Sequence, residues 1–404
     1  MTATLTTVNG MLKEVYEPGG VRDQLQNDLV LLKRITRSSE QIFETPGGKY
    51  VVFPLHTGRN HGISYRAEGA ALAAAGRQKY AQAQETLRYG YGRIQVTGQT
   101  MKLAKTNAQA FMNAVDGEMD GMKTDITKDQ NRISWGHSQS WVASSGTGGL
   151  TTVTTGATSA TQTVASTASL MIGEIVDVVD NTGVPVAGGT GILVNSITSA
   201  TVVVLSASVT TVTNASHIVR TGNWNQEPYG LAQLIDDTGT LHNINSATAG
   251  NEYWRSQDDG AVTVLTEAAV IKMADDIKTQ SGKIITAIFS SLGVRRTYFN
   301  LLTTLRRYNE PKTWAGGLVG LSFMYENDLP WVAAIDAPSK SAHLVNEGEL
   351  TVYRDEDWYW EDTDGGILKY VHGFDMFEGL MKSYWQFVNH QRNGHGRFTN
   401  LTEA

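Results

Sequence analysis

The sequence predicts an α+β protein with a small all-β domain inserted in it. Three observations carry this expectation: one long helical pattern over 101–135, an abrupt compositional shift at about residue 137, and alternating helix and strand signals after residue 222. A length of 404 residues exceeds what one hydrophobic core usually serves, so more than one domain is expected.

The helical pattern is the clearest local signal. Phe111, Val115, Met119, Met122 and Ile126 step by four, four, three and four, and share one face. Asp116, Glu118, Asp120, Lys123, Asp125 and Lys128 fill most of the rest. At ~1.5 Å per residue, thirty residues span about 45 Å, the length of a structural spine.

Ahead of it, residues 1–20 are small and polar and read as a loose arm, followed by a short amphipathic helix carrying Val21, Leu25, Leu29 and Leu32. After the breaker Pro46-Gly47-Gly48, Tyr50–Leu55 and Thr86–Val96 read as two strands flanking a glycine- and alanine-rich centre. The centre offers Ile63, Tyr65, Leu72 and Tyr80 as its large apolar residues. Isolated two-stranded ribbons are barely stable in water, so this one needs a partner surface, for which a neighbouring copy is expected. Phe53, Leu55, Ile63 and Tyr65 are the residues expected to be buried against it.

Between Trp141 and Gly222 the charged residues are Glu174, Asp177, Asp180 and Arg220, in a background of Thr, Ser, Val, Ala and Gly. Runs at Leu150–Thr154, Glu174–Val179, Ile192–Ile197, Thr201–Leu205 and Ile218–Arg220 are β-prone, with turn chemistry at Asp180–Gly183. A β-sandwich or barrel is expected. Beyond it, Leu265, Ala269, Met273 and Ile277 form a helix face ended by Ser281-Gly282. A strand at Ile284–Phe289 and a helix through Leu292–Leu305 follow. Later strands are expected at Leu318–Tyr325, Trp331–Ile335, Ala342–Val345, Leu350–Arg354, Ile367–Val371 and Leu380–His390.

Signals of chemistry are weak. Cysteine is absent, which excludes disulfides, thiolate metal sites and cysteine nucleophiles. The pairs His56/His61 and His390/His395 lie off any predicted helix and read as hydrogen-bonding surface imidazoles, so no metal is expected. Gly146–Gly149 lacks the lysine and strand-to-helix setting of a phosphate cradle. Six acids crowd Asp355–Asp364, which read as a solvated loop or one side of an ion-pair network between copies ahead of an oxygen-ligand cation site. Arg295-Arg296 and Arg306-Arg307 project from one side of one helix and could meet such acids. The net charge of −7 argues against gripping nucleic acid through cations, though not against enclosing it. No signal peptide or membrane span is read, and no cofactor or enzymatic activity is expected.

The order of features (loose arm, glycine-punctuated loop, spine helix, α+β body, late returning strands) resembles the major capsid proteins of tailed bacteriophages and, more distantly, the encapsulin shells that share their fold. Glu227-Pro228-Tyr229-Gly230-Leu231 resembles the family's turn after the spine helix, and Ser281–Leu305 its strand and body helix. Asn327–Val332 is similar to the family's G-x-P-V strand, with Asp328 in place of the usual glycine, and Met381–Phe398 resembles the C-terminal return.

The resemblance implies an N-terminal arm at 1–45, an extended loop at 46–98 and the spine helix of a peripheral domain at 99–136. It further implies an axial domain with its peripheral link at 223–345 and return strands at 346–404; the inserted β-domain at 137–222 is read from composition, and the resemblance implies only that such insertions occur in the family. It implies a coat protein assembling into hexamers and pentamers of an icosahedral head around double-stranded DNA. The implied partners are other copies, a separate scaffolding protein, a portal and decoration proteins, with no membrane. The implied site of residence is the virion, after assembly in the host cytoplasm. Lys49 and Lys79 lie in the loop without a recognisable acceptor, so no covalent cross-link is expected. A phage tail or baseplate protein is the alternative.

Overall fold

The computed structural model describes residues 30–35, 42–44, 50–99, 108–136, 149–304, 312–313, 319–325, 328–362 and 366–404. The expected positions Val21, Leu25, Leu29, Pro46–Lys49, Gly146–Gly148, Arg306 and Arg307 lie outside them.

The described chain begins with α1 (Val30–Ile35), which buries Leu31 and Ile35 in the body, and β1 (Ile42–Glu44). β2 (Val51–Gly58) pairs antiparallel with β3 (Lys79–Glu85), placing Phe53 opposite Ala83 and Leu55 opposite Ala81. β4 (Arg88–Thr97) does not pair with β2, contrary to the expected ribbon. It crosses into the body, because its alternate residues Gly92 and Ile94 have a buried face to join there. α2 (Ala108–Trp135) is the long helix, and Met119, Met122 and Ile126 lie half-buried along it. A Cβ on Gly92 would sit 2.5 Å from Ile126 Cδ1 and 3.1 Å from Met122 Sδ, so the bare glycine lets the helix lie against β4.

β5 (Gly149–Thr155), β6 (Ser159–Val164), β7 (Ile175–Val179), β8 (Ile192–Ser199), β9 (Val202–Val209) and β10 (His217–Arg220) close into a barrel in the order β10-β5-β6-β9-β8-β7. Closure removes every free edge. Its core is built from small β-branched and aliphatic side chains, among them Val153, Val176, Val178, Val194, Val203 and Ile218, all fully buried. The Asp180 carboxylate accepts the backbone N–H groups of Thr182 and Val184 at 2.8 and 3.0 Å, which fixes the expected turn.

The body resumes with α3 (Leu231–Leu234), the short pair β11 (Thr240–Leu241) and β12 (Ile244–Asn245), and β13 (Gln257–Asp259). α4 (Glu267–Ser281) is capped by the Thr266 hydroxyl, which accepts the Ala269 N–H at 3.1 Å, and stops at Gly282. β14 (Ala287–Ser290) and α5 (Leu292–Thr304) follow, then β15 (Lys312–Thr313), β16 (Val319–Met324), β17 (Asp328–Ala333) and β18 (Ala342–Val345). The chain ends through β19 (Leu350–Arg354), β20 (Tyr359–Trp360), β21 (Leu368–Tyr370), β22 (Met376–Asn389) and β23 (Gly396–Phe398).

Two mixed sheets organise these elements. One runs β13-β23-β18-β14-β17-β16-β15 and packs under α4 and α5, with Tyr298 stacked on Trp331 at 4.1 Å between ring centres. The other centres on the 14-residue β22, which takes β19, β20, β21 and β4 as neighbours, with β1 outside β19. A core containing Leu31, Phe53, Trp135, Leu234, Phe289, Val352 and Phe387 ties α1, the root of the β2–β3 hairpin and both sheets together.

Candidate assembly surfaces

The β2–β3 hairpin has a buried root and a bare tip. At the root, Phe53 is 7% exposed and meets the rings of His242 and His390 edge-on, at 5.7 and 4.8 Å between centres. Glu85, the last residue of β3, is buried against His242. Beyond Gly58 the chain leaves the body. Gly62 N–H donates to Asn60 Oδ1 at 2.7 Å, pinching the loop where Gly62 and Gly76 lie back to back. Past that pinch Ile63, Tyr65 and Leu72 are 80%, 99% and 88% exposed.

The four apolar residues expected to face a neighbour therefore divide. Ile63 and Tyr65 are exposed, whereas Phe53 is buried by its own chain, and Leu55 packs half-buried against the same core. Phe53 is corrected from an intersubunit contact to a root residue. The reason is register: opposite Ala83, it points at the body rather than away from it. The signal missed in the sequence is Lys79–Glu85, whose alanines and glutamines carry little β-propensity but leave room for Phe53.

Arg295 and Arg296 are exposed on α5, and Arg296 Nε donates to the Ala404 carbonyl at 2.6 Å. The acidic loop is partly satisfied within the chain. Asp357 pairs with Arg354 at 3.0 Å and Glu361 with Lys382, while Glu356 and Asp362 face solvent.

The histidine pairs part company. His56 is exposed and bonds Gln78 at 2.8 Å, but His390 and His395 are not surface imidazoles. His395 is fully buried. Its Nδ1 accepts the Asn346 N–H at 3.2 Å and its Nε2–H donates to Asn389 Oδ1 at 3.1 Å, and burial pushes its pKa down to about 3. It fixes the crossing of β18, β22 and β23. Asp236, Asp237 and Asp258 gather their carboxylates within 4.8 Å of one another, but Arg397 reaches into the group and pairs with Asp258 and Asp236. That node is an ion pair joining β13 to β23. Among the described residues no helix is long and apolar enough to cross a membrane.

A long helix laid on a sheet built around one C-terminal strand, a second sheet under two helices and a projecting hairpin make up a fold that a phage capsid subunit also has. The chain superposes on the capsid asymmetric unit of cyanophage A-1(L) with a TM-score of 0.60, at 14% identity, over 99% of this chain and 100% of that one. The capsid of a native GTA particle aligns at TM-score 0.49 and 10% identity, over 100% and 99% of the two chains. The SrpI encapsulin of Synechococcus elongatus aligns at 0.47 and 9%, over 99% and 96%. No protein-family model matches the sequence, and no curated protein does. The likeness is therefore one of fold.

Proposed function

We propose that this chain is the major coat protein of a tailed bacteriophage, assembling through hexamers and pentamers into an icosahedral head that encloses double-stranded DNA, and that it is not an enzyme. One observation carries the reading: a hairpin rooted in the body by Phe53 and Glu85 ends in a tip whose Ile63, Tyr65 and Leu72 are left in water. Exposed apolar groups grouped on a projection mark an interaction site. Fold likeness to a cyanophage capsid subunit supports a second copy as the partner.

In this reading residues 1–45 are the arm, 46–98 the extended loop, 99–136 the spine of the peripheral domain and 137–222 an insertion. Residues 223–345 gather near the symmetry axes, and 346–404 complete the peripheral domain. Ile63 and Tyr65 contact a neighbour, and the arginines at 295–296 and 306–307 set register against its acids. Each exposed pair contributes only ~0–1 kcal/mol, so these contacts choose geometry more than strength. A separate scaffolding protein, a portal and decoration proteins complete the head, which forms in the host cytoplasm. A net charge of −7 suits a wall that encloses DNA without holding its phosphates.

Co-expression with the scaffolding protein, followed by negative-stain imaging, tests this. Closed shells of uniform diameter are expected. Tubes or rings would favour a tail or baseplate role, and a monodisperse monomer would overturn assembly altogether.

A further inference from the structure

The end of α2 meets the segment that returns from the barrel. α2 ends at Trp135, and Gly136 turns the chain at φ +81°. The returning chain passes Gly230, where a Cβ would collide with Gly136 Cα and the Ile133 carbonyl. Two glycine backbones are thus in contact where the excursion begins and ends.

Charged side chains close around that contact. Arg132 of α2 reaches Asp129 at 2.8 Å and Glu227 of the returning segment at 2.9 Å. Arg220, the last residue of β10, reaches Asp129 at 2.6 Å and Glu174, just before β7, at 2.5 Å. Asp129 therefore holds one arginine from the helix and one from the barrel. None of the five side chains is more than 25% exposed. Asn223 Nδ2 adds a bond to Glu227 at 3.0 Å, and Arg88 Nη1 donates to the Asn225 carbonyl at 2.7 Å. Burial alone would raise the Asp129 carboxyl, but Arg132 and Arg220 together hold it below the usual carboxylate range. Planar guanidinium groups each shared between two carboxylates restrict direction as well as distance. Swinging the barrel would break the Arg220–Asp129 pair, the one bridge of the four between barrel and helix, while Glu174 and Arg132 hold each of its ends in the aligned position.

We propose that Asp129, Arg132, Glu174, Arg220 and Glu227 form a lock that fixes the barrel to the end of the spine helix, so that the two move as one rigid body. Nothing in this depends on the shell reading. Any rotation of α2 is carried directly to the barrel.

The test uses the absence of cysteine. Ala207→Cys on β9 and Ala268→Cys on α4, both exposed, receive spin labels in the full chain, diluted with unlabelled chain. Ala268→Cys with Gln95→Cys on β4 is the reference pair within the body. Pulsed dipolar spectroscopy should give one barrel-to-body distance peak no broader than the reference. Arg220→Ala should at least double the barrel-to-body width and leave the reference unchanged. Asp129→Asn, which keeps shape while removing the shared charge, should broaden it to an intermediate degree and carries the comparison if Arg220→Ala fails to fold. A native distribution several-fold broader than the reference, or widths unmoved by either substitution, would overturn the lock. Neither result bears on whether the chain forms shells.

Discussion

His242 Nδ1 donates to Glu85 Oε2 at 3.0 Å, while His242 Nε2 accepts the backbone N–H of Asn389 at 3.2 Å. The ring is thereby a bridge from the root of the β2–β3 hairpin to the end of β22. It is held in one neutral tautomer, with burial lowering its pKa and Glu85 opposing that shift. It is presented by a two-residue turn in which His242 and Asn243 both have positive φ, at 49° and 64°. The His242 carbonyl also accepts the Gln84 N–H at 3.0 Å. The projecting hairpin is therefore anchored through a side chain and a backbone group of one residue.

Removing the carboxylate should loosen that anchor. Glu85→Ala leaves a buried imidazole N–H without its acceptor, at a cost of about 1–3 kcal/mol. Denaturant unfolding should report the loss, and hydrogen exchange at the Gln84 amide should accelerate. An unchanged Gln84 exchange rate would mean that the hairpin root is held by packing alone.

Root and tip should respond oppositely to truncation. Phe53→Ala empties a site within the chain's own core and should destabilise it by about 3–5 kcal/mol. Tyr65→Ser and Ile63→Ser change side chains that the chain leaves almost wholly exposed. They should leave the unfolding midpoint within error while lowering particle yield. Measuring both quantities on all three variants separates a fold residue from an assembly residue.

Gly92 should be sensitive to the smallest addition. Its missing Cβ is what lets Ile126 and Met122 of α2 reach β4. Gly92→Ala forces the Ile126 side chain to move and should cost about 1–3 kcal/mol by overpacking. Gly121, on the same helix with open space around it, should tolerate alanine and gain slightly from helix propensity. Thermal unfolding of the two single variants should shift in opposite directions.

What the sequence made legible follows from how local each signal is. α2, α4 with its Ser281-Gly282 stop, and the strands Ala342–Val345 and Leu350–Arg354 announce themselves by periodicity or apolar runs within a few residues. β6 carries four polar residues among its six, and β3 has little β-propensity, so both are strands only because a barrel and a hairpin give them neighbours. The pairing of β4 with β22 joins Tyr89 to Tyr384, a choice that no local window contains. The His242 bridge was illegible for the same reason, since Glu85, His242 and Asn389 meet only once three distant segments are folded. Exposure of the hairpin tip was readable, because its glycines and alanines offer nothing to bury it with.

Acid should weaken the fold through buried neutral imidazoles. Burial holds His395 at about 3, and burial together with Arg397 holds His343 at about 3, against an ordinary value near 6.5. In the unfolded chain both would take up protons below about pH 6.5, whereas the folded chain refuses them until about pH 3. The unfolded state then binds more protons in this window, so stability falls as pH falls through it. Between pH 7 and pH 5 each ring should account for about 2 kcal/mol of lost stability. In His395→Gln the amide can accept from Asn346 and donate to Asn389 without titrating, so the variant should lose that much less over the same interval. The check is the difference in unfolding free energy between pH 7 and pH 5 for both chains. Equal slopes would mean that the His395 ring is reached by solvent protons in the folded state, and that the crossing of β18, β22 and β23 opens far more readily than its packing implies.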